Sequence, residues 1–130
     1  MKLTDGVKGP FVDHLGLQFT ELSGDKVVAE WTASEKHHQP YGIVHGGVYC
    51  ALVETAGSVG ASLWWGDRGR VVGSANQTDF LRPVREGLLT ASAVPVHRGR
   101  SQQLWTVDIF DGDDRLSARG QVRLANLAGG

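Results

Sequence analysis

This sequence lacks several features that mark particular classes of protein. It has one cysteine, Cys50, so no disulfide can form within the chain, and a reducing compartment suits it. It also lacks an excess of positive charge, because 13 basic residues face 14 acidic ones, for a net charge of -1. Binding along a nucleic acid or an anionic membrane surface needs a basic field, so we expect neither partner.

Long apolar runs are missing as well. No window approaches the roughly 20 consecutive apolar residues that a membrane-spanning helix needs. The start of the chain lacks the apolar run of a secretory signal peptide, and we therefore expect a cytoplasmic protein. What the sequence does contain is enough for a packed core, since 41% of its 130 residues are apolar. With no internal repeat and no linker, residues 1–130 are predicted to form a single domain.

Apolar and polar residues alternate with the period of a β-strand in several segments. Trp105, Val107 and Ile109 fall on one face of such a segment. Pro95 interrupts another one, and because proline cannot donate a ladder hydrogen bond, an edge or a bulge is predicted there. A short helical turn at residues 10–14 precedes strands predicted at residues 15–22, 27–33, 70–81, 87–97, 102–110 and 116–126.

One segment has the period of an α-helix instead. Its apolar positions are spaced by four, four, three and four residues: Val48, Leu52, Ala56, Val59 and Leu63. Gly57 and Gly60 each weaken such a helix by about 1 kcal/mol relative to alanine. Their presence suggests that another layer of the fold approaches the helix closely at these two positions.

The predicted order of elements is β-β-α-β-β-β-β. Because short turns can join all the strands after the helix, the sheet is predicted to be mainly antiparallel. This places the chain in the α+β class, with one long helix packed against one sheet. That arrangement leaves one sheet face and a sheet edge uncovered, so we expect a homo-oligomer.

The predicted helix carries one charged residue, Glu54, among small and apolar neighbours. Most glutamates on a helix surface are merely solvated, but a carboxylate in a partly dry pocket can act as a general base or a nucleophile. Ser58 lies four residues further on, on the same face of the helix, within reach of Glu54 or of an attacking water. Taken alone, such a serine is more often a packing residue.

Two glycines, Gly46 and Gly47, stand where the helix begins. Backbone N–H groups there have no intrahelical partner and lie at the positive end of the helix dipole, so they can stabilise an oxyanion formed from a carbonyl. Gly46 and Glu54 are eight residues apart in the sequence, which is about 12 Å along one helix. A two-fold partner can instead bring Gly46 of one subunit to Glu54 of the other, so the site is predicted at a subunit interface.

Two other kinds of catalytic site are disfavoured by spacing. The histidines His37, His38 and His45 have no second cluster of Cys, His or Asp at the spacing of a metal site, so no metal is expected. A Ser-His-Asp hydrolase needs a Gly-x-Ser-x-Gly elbow, and none occurs. His45 is expected to position the loop before the helix or the carbonyl of a substrate.

The segment Gln39-Pro-x-Gly-x-x-His45-Gly46-Gly47, followed by Glu54-Thr55-x-Gly57-Ser58, resembles the hotdog-fold acyl-CoA thioesterases. Within that group it is most similar to the phenylacetate-pathway type and to the 4-hydroxybenzoyl-CoA thioesterases that use glutamate. Further matches extend the likeness from His14 to Leu127. They are Val71-Val72-Gly73, Phe80-Leu81-Arg82-Pro83-Val84, His97-Arg98-Gly99-Arg100 and Phe110-Asp111.

The resemblance implies a hotdog fold, in which the sheet wraps around the helix, and dimers that assemble into tetramers. It implies hydrolysis of an acyl-CoA thioester without a cofactor, since CoA is part of the substrate. Glu54 would be the nucleophile or general base, and the Gly46 N–H would polarise the carbonyl with help from Gln39, His45 and Ser58. Contacts with the substrate and its CoA would fall on Gly47, Gly73, Phe80, Leu81, Arg82, Pro83, His97, Arg98, Gly99, Arg100, Ser101 and Gln102.

Two other functions remain open at this point. A hotdog dehydratase or hydratase pairs a histidine with a carboxylate, but His45 and Glu54 lie about half a helical circumference apart. A non-catalytic acyl-CoA-binding module would give Glu54 no necessary role. The acyl group is open as well, because residues 80–81 are apolar where relatives with aromatic substrates often have a polar group. An aryl, a naphthoyl or a medium-length aliphatic group fits.

Overall fold

A computed structural model describes residues 9–129, in which one long helix lies across an antiparallel sheet. The elements in chain order are α1 (Pro10–Leu15), β1 (Gln18–Leu22), β2 (Val27–Ala33), α2 (Gly46–Trp65), β3 (Gly69–Phe80), β4 (Gly87–Arg98), β5 (Gln102–Phe110) and β6 (Leu116–Ala128). The predicted hotdog arrangement and the order of its helix and strands are confirmed. None of the helices within the described residues is long and apolar enough to cross a membrane.

The predicted first strand, residues 15–22, begins too early. Leu15 is the last residue of α1, and Gly16 ends that helix with a φ of 81°. Glycine adopts this left-handed conformation without a steric penalty, and its N–H donates to the carbonyls of Val12 and Asp13. The strand therefore starts at Gln18, after the helix has been capped.

The sheet has the strand order β1-β2-β4-β5-β6-β3, and every neighbouring pair is antiparallel. Strand β4 is interior, and its register shifts between Pro95 and His97. Of the two possibilities predicted for Pro95, the bulge is therefore the correct one. Strand β3 is an edge of this sheet, and most of its 12 residues are exposed in the single chain. An exposed edge of this length is a template for pairing with another strand.

The core lies between α2 and the inner face of the sheet. The predicted helical stripe is buried at its three central positions, Leu52, Ala56 and Val59. The predicted face of β5 is buried as well, at Trp105, Val107 and Ile109. Packing of the helix stripe on this face fixes which side of α2 is left for a ligand.

The two glycines within α2, Gly57 and Gly60, allow the sheet to approach the helix closely, as predicted. A Cβ atom added at Gly57 would lie 2.3 Å from Cγ1 of Val122, and one added at Gly60 would lie 2.5 Å from the ring of Trp105. The layer that approaches the helix consists of side chains from β5 and β6, so any larger residue at these positions overpacks the core.

Candidate functional site

The loop before α2 is shaped by its own hydrogen bonds. The Gln39 N–H donates to the carbonyl of Ile43 at 2.8 Å, and the Gly42 N–H donates to the carbonyl of Gln39 at 2.9 Å. Gly42 has a φ of 78°, in the region that favours glycine. The side-chain oxygen of Gln39 accepts the N–H of Tyr41, which orients the amide and leaves its NH2 group available to a ligand.

The segment after β3 holds this loop from outside. The Val44 N–H donates to the carbonyl of Val84 at 2.8 Å. The Arg85 guanidinium donates to the carbonyls of Tyr41 and Gly42 at 3.4 and 3.3 Å. The position of the Gln39 amide therefore depends on contacts with a distant part of the chain. Arg85 and Tyr41, for example, are 44 residues apart in sequence.

His45 caps the start of α2, and this decides which glycine N–H is available to a ligand. The Nδ1 atom of His45 accepts the N–H of Gly47 at 2.8 Å. Its backbone N–H donates to the carbonyl of His37 at 2.8 Å, which fixes the residue. The Gly46 N–H has no acceptor among residues 9–129. Gly46 therefore offers a backbone donor at the positive end of the helix, whereas the Gly47 N–H is already used by the cap.

The Gly46 N–H lies beside an apolar cavity, which we call the Gly46 pocket. Its volume is about 370 Å³, and it is lined by Gln39, Ile43, Val44, Gly46, Tyr49, Phe80, Leu81, Arg82 and Pro83. The ring of Phe80 rests on Gly46, since an added Cβ there would lie 2.5 Å from its Cε2 atom. The structure thus brings Gln39 and Gly46 together with the four predicted substrate contacts of residues 80–83.

Tyr49 forms part of the wall of this pocket and was not among the predicted site residues. Its ring centroid lies 6.0 Å from that of Phe80. Its hydroxyl is buried and has no hydrogen-bond partner among the described residues. Burial, with a smaller effect of the negative charge of Asp111, raises the pKa of Tyr49 to about 12. The phenol therefore stays neutral near pH 7 and supplies an aromatic wall rather than a base. Its place one helical turn after Gly46 is a sequence signal for this role.

Glu54 lies in a second, more polar hollow, which we call the Glu54 hollow. Its volume is about 400 Å³, and it is lined by Phe11, Gly47, Cys50, Ala51, Glu54, Thr55 and Asn76. In the single chain Glu54 is exposed, because the edge strand β3 beside it is uncovered. Its carboxylate lies over Gly73, where an added Cβ would be 3.5 Å from Oε2. No hydrogen bond joins Ser58 to Glu54 within residues 9–129.

The two halves of the candidate site are far apart within one chain. Gly73 pairs with Leu124 and Phe80 pairs with Ala118, so six residues of β6 separate the two levels. At about 3.3 Å per residue this is roughly 20 Å along the sheet. One chain therefore carries the Gly46 pocket at the Phe80 end of β3 and carries Glu54 nearer the middle of the strand, in a separate hollow.

The turn between β4 and β5 lies on the same level of the sheet as Gly73, not near the Gly46 pocket. Arg98 pairs with Gln103, which pairs with Leu124, the partner of Gly73. The Arg98 guanidinium donates to the carbonyl of Gly24 at 2.7 Å and lies 5.6 Å from the ring of Trp64.

The other predicted residues of this turn differ in how far they are engaged. Gln102 accepts a hydrogen bond from Arg123, while the Gly99 and Ser101 carbonyls accept bonds from Asn126. Arg100 forms no ion pair within residues 9–129. Arg100 is therefore better placed than Arg98 to meet an anionic group, since Arg98 already pairs with Asp25 at 2.8 Å.

Comparison with known proteins identifies the kind of site this is. Residues 41–118 match the family model described as the thioesterase superfamily. The chain belongs to that superfamily and is a thioester hydrolase. A protein of Mycobacterium tuberculosis that carries the name of an esterase is 51% identical over 121 residues, covering 91% of this chain and 86% of the relative. The proofreading thioesterase EntH of Cronobacter turicensis is 36% identical over 117 residues, covering 90% of this chain and 85% of that protein.

Solved structures of similar proteins share the fold of this thioesterase. The crystal structure of AziG from S. sahachiroi superposes with a TM-score of 0.92 at 52% identity, covering 94% of this chain and 99% of that chain. The thioesterase HI1161 of Haemophilus influenzae has a TM-score of 0.90 at 34% identity, covering 97% of this chain and 88% of that one. In both cases the match extends over nearly the whole of this thioesterase, and so includes both halves of the candidate site.

Three of the five histidines of this thioesterase have separate structural roles. The His38 ring bonds to the carbonyl of Arg85, and His45 caps α2. His37 is buried, with Nδ1 accepting the Ser34 N–H and Nε2 facing the Leu15 carbonyl, both at 3.0 Å. Among residues 9–129, no three His, Cys, Asp or Glu side chains come together as metal ligands would.

Protonation of His37 is expected to destabilise this thioesterase below neutral pH. Burial lowers the pKa of His37 from its ordinary value of 6.5, despite the opposing bond to Leu15. As pH falls through 6.5, the unfolded chain binds a proton at this histidine and the folded chain does not. The free energy of unfolding is therefore at its full value above that pH and declines below it. Urea unfolding midpoints at pH 7.5 and 5.5 measure this loss. His37→Asn should flatten the difference, whereas His97→Gln, at an exposed histidine that is not among the charges acting on His37, should preserve it. An unchanged pH dependence in His37→Asn would contradict the assignment.

Proposed function

We propose that this thioesterase hydrolyses acyl-CoA thioesters, with Glu54 as the reacting carboxylate and the Gly46 N–H as the carbonyl-polarising donor. The observation that carries the proposal is the Gly46 N–H without an acceptor, at the start of a 20-residue helix and at the wall of an apolar cavity. A preorganised donor of this kind stabilises the negative charge that develops on a thioester oxygen during attack. The NH2 group of Gln39 is a second donor at the same pocket.

Two routes use the same groups. In the general-base route, Glu54 takes a proton from water as the water oxygen bonds to the carbonyl carbon, and the C–S bond then breaks as Glu54 returns that proton to the departing sulfur. In the nucleophilic route, a Glu54 oxygen bonds to that carbon and CoA leaves as a thiolate; water then cleaves the mixed anhydride, which restores the Glu54 carboxylate and releases the proton that neutralises the thiolate. Each route consumes one water and releases one acid and one CoA.

We further propose that the site is completed by a second copy of the chain. Antiparallel pairing of β3 with the same strand of another copy, about a two-fold axis near the middle of the strand, brings the Gly73 level of one copy toward the Phe80 level of the other. Glu54 of one copy then meets the Gly46 pocket of the other, across a two-fold interface that both copies share. This pairing satisfies the exposed backbone groups of β3 and removes Glu54 from bulk water. Assembly of such dimers into tetramers stays a prediction of the sequence resemblance.

The substrate has an apolar and an anionic part, and the chain offers groups for both. Tyr49, Phe80 and Leu81 give the Gly46 pocket an apolar wall that suits an aryl, naphthoyl or medium-length aliphatic acyl group. Arg82 at the pocket and Arg100 at the β4–β5 turn are candidates for the phosphates of CoA. Exposed contacts of this kind contribute little each, roughly 1 kcal/mol or less. The narrower resemblance to phenylacetate-pathway and hydroxybenzoyl-CoA enzymes stays a prediction.

The test is thiol release from a panel of acyl-CoAs with phenylacetyl, benzoyl, 4-hydroxybenzoyl, 2-naphthoyl, hexanoyl and octanoyl groups. We expect turnover of at least one of these acyl-CoAs. The order of their kcat/KM values then indicates which acyl shape the Gly46 pocket accepts. Binding of acyl-CoAs without any thiol release would favour a non-catalytic acyl-CoA-binding module. An enoyl-CoA such as crotonyl-CoA is assayed beside the panel, and loss of its absorbance by hydration, without thiol release, would favour a hydratase.

A further inference from the structure

We infer that Asn76 is a positioning residue for Glu54, a role that rests on the proposed function and that the sequence pattern does not indicate. Asn76 lies in the middle of the edge strand β3 and shares the Glu54 hollow with Glu54 itself. Its amide connects this strand to the turn of α2 that precedes Glu54. Three observations on the strand, the helix and the neighbouring side chains support this role.

The first observation is that a bulge turns Asn76 toward the helix. The register of β3 shifts between Gly73 and Ala75, so that Gly73 pairs with Leu124 and Asn76 with Val122. Both partners are fully buried on the helix-facing side of the sheet, with 0% exposure. Residues opposite each other in an antiparallel pair share a face, so Gly73 and Asn76 both face α2. In a regular strand, two residues separated by three positions would face opposite sides.

The second observation is the hydrogen bond from Asn76 to the helix. The side-chain NH2 of Asn76 donates to the backbone carbonyl of Cys50 at 2.9 Å. In an α-helix the same carbonyl accepts the N–H of the residue four positions on, which is Glu54. The Asn76 amide is therefore bonded directly to the hydrogen-bonded turn on which Glu54 stands.

The third observation is that the Asn76 amide is itself held in one orientation. The hydroxyl of Thr78 donates to the Asn76 side-chain oxygen at 2.8 Å. Gly120 on β6 leaves the space for this hydroxyl, since an added Cβ there would lie 2.6 Å from the Thr78 oxygen. With its oxygen engaged by Thr78, the amide keeps its NH2 group directed at the helix. Its second N–H has no partner among residues 9–129 and is available to the Glu54 carboxylate or to the attacking water.

These contacts have a chemical consequence for the carboxylate. Glu54 sits on an otherwise exposed edge, and its side chain has no hydrogen bond of its own within the described residues. A reacting group gains rate when its approach geometry is fixed in advance. Asn76 supplies that restraint by fixing the distance between β3 and the turn before Glu54. The other titratable group in the Glu54 hollow is the Cys50 thiol, which is half-buried.

The experiment places a negative charge at Asn76 and the same charge at its neighbour. Asn76→Asp replaces the helix-facing amide by a carboxylate beside Glu54. Gln77→Glu is the matched control, because Gln77 pairs with the exposed Gln121 and faces the other side of the sheet. We expect the acid limb of the kcat profile to move to higher pH by roughly half to one unit in Asn76→Asp, since a nearby like charge disfavours ionisation. Gln77→Glu should leave that limb in place.

Asn76→Ala tests the positioning role without adding charge. We expect kcat to fall about tenfold with KM within about twofold, because the lost restraint acts on the reacting carboxylate rather than on binding. Gln77→Ala should retain kcat. Wild-type kcat in Asn76→Ala, an equal fall in kcat in both alanine variants, or equal shifts of the acid limb in both charged variants would overturn the inference.

One readout does not depend on turnover and separates this inference from the proposed function. The carboxyl carbon signal of Glu54, followed by ¹³C NMR, should titrate at higher pH in Asn76→Asp than in wild type and in Gln77→Glu. A wild-type protein that releases thiol from no acyl-CoA would reject the proposed function, while this shift would still place Asn76 beside the carboxylate. Active protein with an unmoved Glu54 signal in Asn76→Asp would reject the role of Asn76 alone.

Discussion

Replacing Glu54 with glutamine is expected to lower kcat for thioester hydrolysis by roughly 10²- to 10⁴-fold, the range typical of removing a general base. The amide keeps the size of the side chain but neither accepts a proton nor attacks a carbonyl. Because Glu54 is exposed and makes no side-chain hydrogen bond within residues 9–129, the change should leave folding intact. Thiol release and the urea unfolding midpoint, measured on the same preparation, separate the two effects.

A matched control for Glu54→Gln is Glu21→Gln, which removes the same charge from an exposed position on the opposite edge strand, β1. Its kcat should equal that of wild type. Wild-type turnover in Glu54→Gln would remove Glu54 from the chemistry and leave the Gly46 pocket without a reacting carboxylate. Single-turnover analysis distinguishes the two routes, because only the nucleophilic route passes through an acyl group attached to Glu54.

Replacing Gly46 with valine is expected to lower kcat by roughly 10²- to 10³-fold, the range found when one oxyanion donor is lost. Any Cβ at this position would lie 2.5 Å from the ring of Phe80. The ring is therefore displaced, and the thioester carbonyl of the substrate no longer accepts a hydrogen bond from the Gly46 N–H. Gly112→Val is the control, because an added Cβ at Gly112 meets only the Leu88 carbonyl, at 3.7 Å. Activity of Gly46→Val close to that of wild type would contradict a role for this N–H in the reaction.

Glu54→Gln and Gly46→Val together test whether the site forms between two copies of the chain. Glu54→Gln disables one half of each site and Gly46→Val disables the other half. A mixed dimer of the two, isolated with two affinity tags, combines both defects in one site and leaves the other site intact. Such a dimer should recover about half of wild-type activity, because a two-fold assembly contains two equivalent sites. Activity no higher than that of the separate variants would show that each site is built within one chain.

The local features of the fold follow from the sequence because they depend on residues that are close along the chain. The spacing from Val48 to Leu63 predicts α2, and the helix extends only two residues further at each end, from Gly46 to Trp65. The alternation around Trp105 predicts β5 with the bounds that the structure has. The first strand was placed too early because Gly16 ends a helix there, and the cap depends on one residue's backbone conformation rather than on apolar period.

The candidate site follows from the sequence in its residue types and in part of its geometry. The eight-residue spacing of Gly46 and Glu54 already argues against a site made by one helix, and the structure places the two residues in separate cavities. The position of two glycines at a helix start does not by itself distinguish the N–H groups of Gly46 and Gly47, and only the resemblance to the hotdog thioesterases selected Gly46. That distinction depends on the rotamer of His45, whose ring accepts the second N–H and not the first.

The order of the elements, the helix that carries Glu54 and the glycines that open it can all be inferred from local sequence, because apolar period and glycine placement act over a few residues. Only the folded structure shows that Arg85 shapes the Gln39 loop and that Asn76 lies on the helix-facing side of the sheet rather than on its outer side. Both depend on pairing between distant segments, and a one-residue bulge in β3 is enough to exchange the two faces of the strand. The apolar period of one strand does not show which face a residue such as Asn76 occupies, because the register between neighbouring strands decides this.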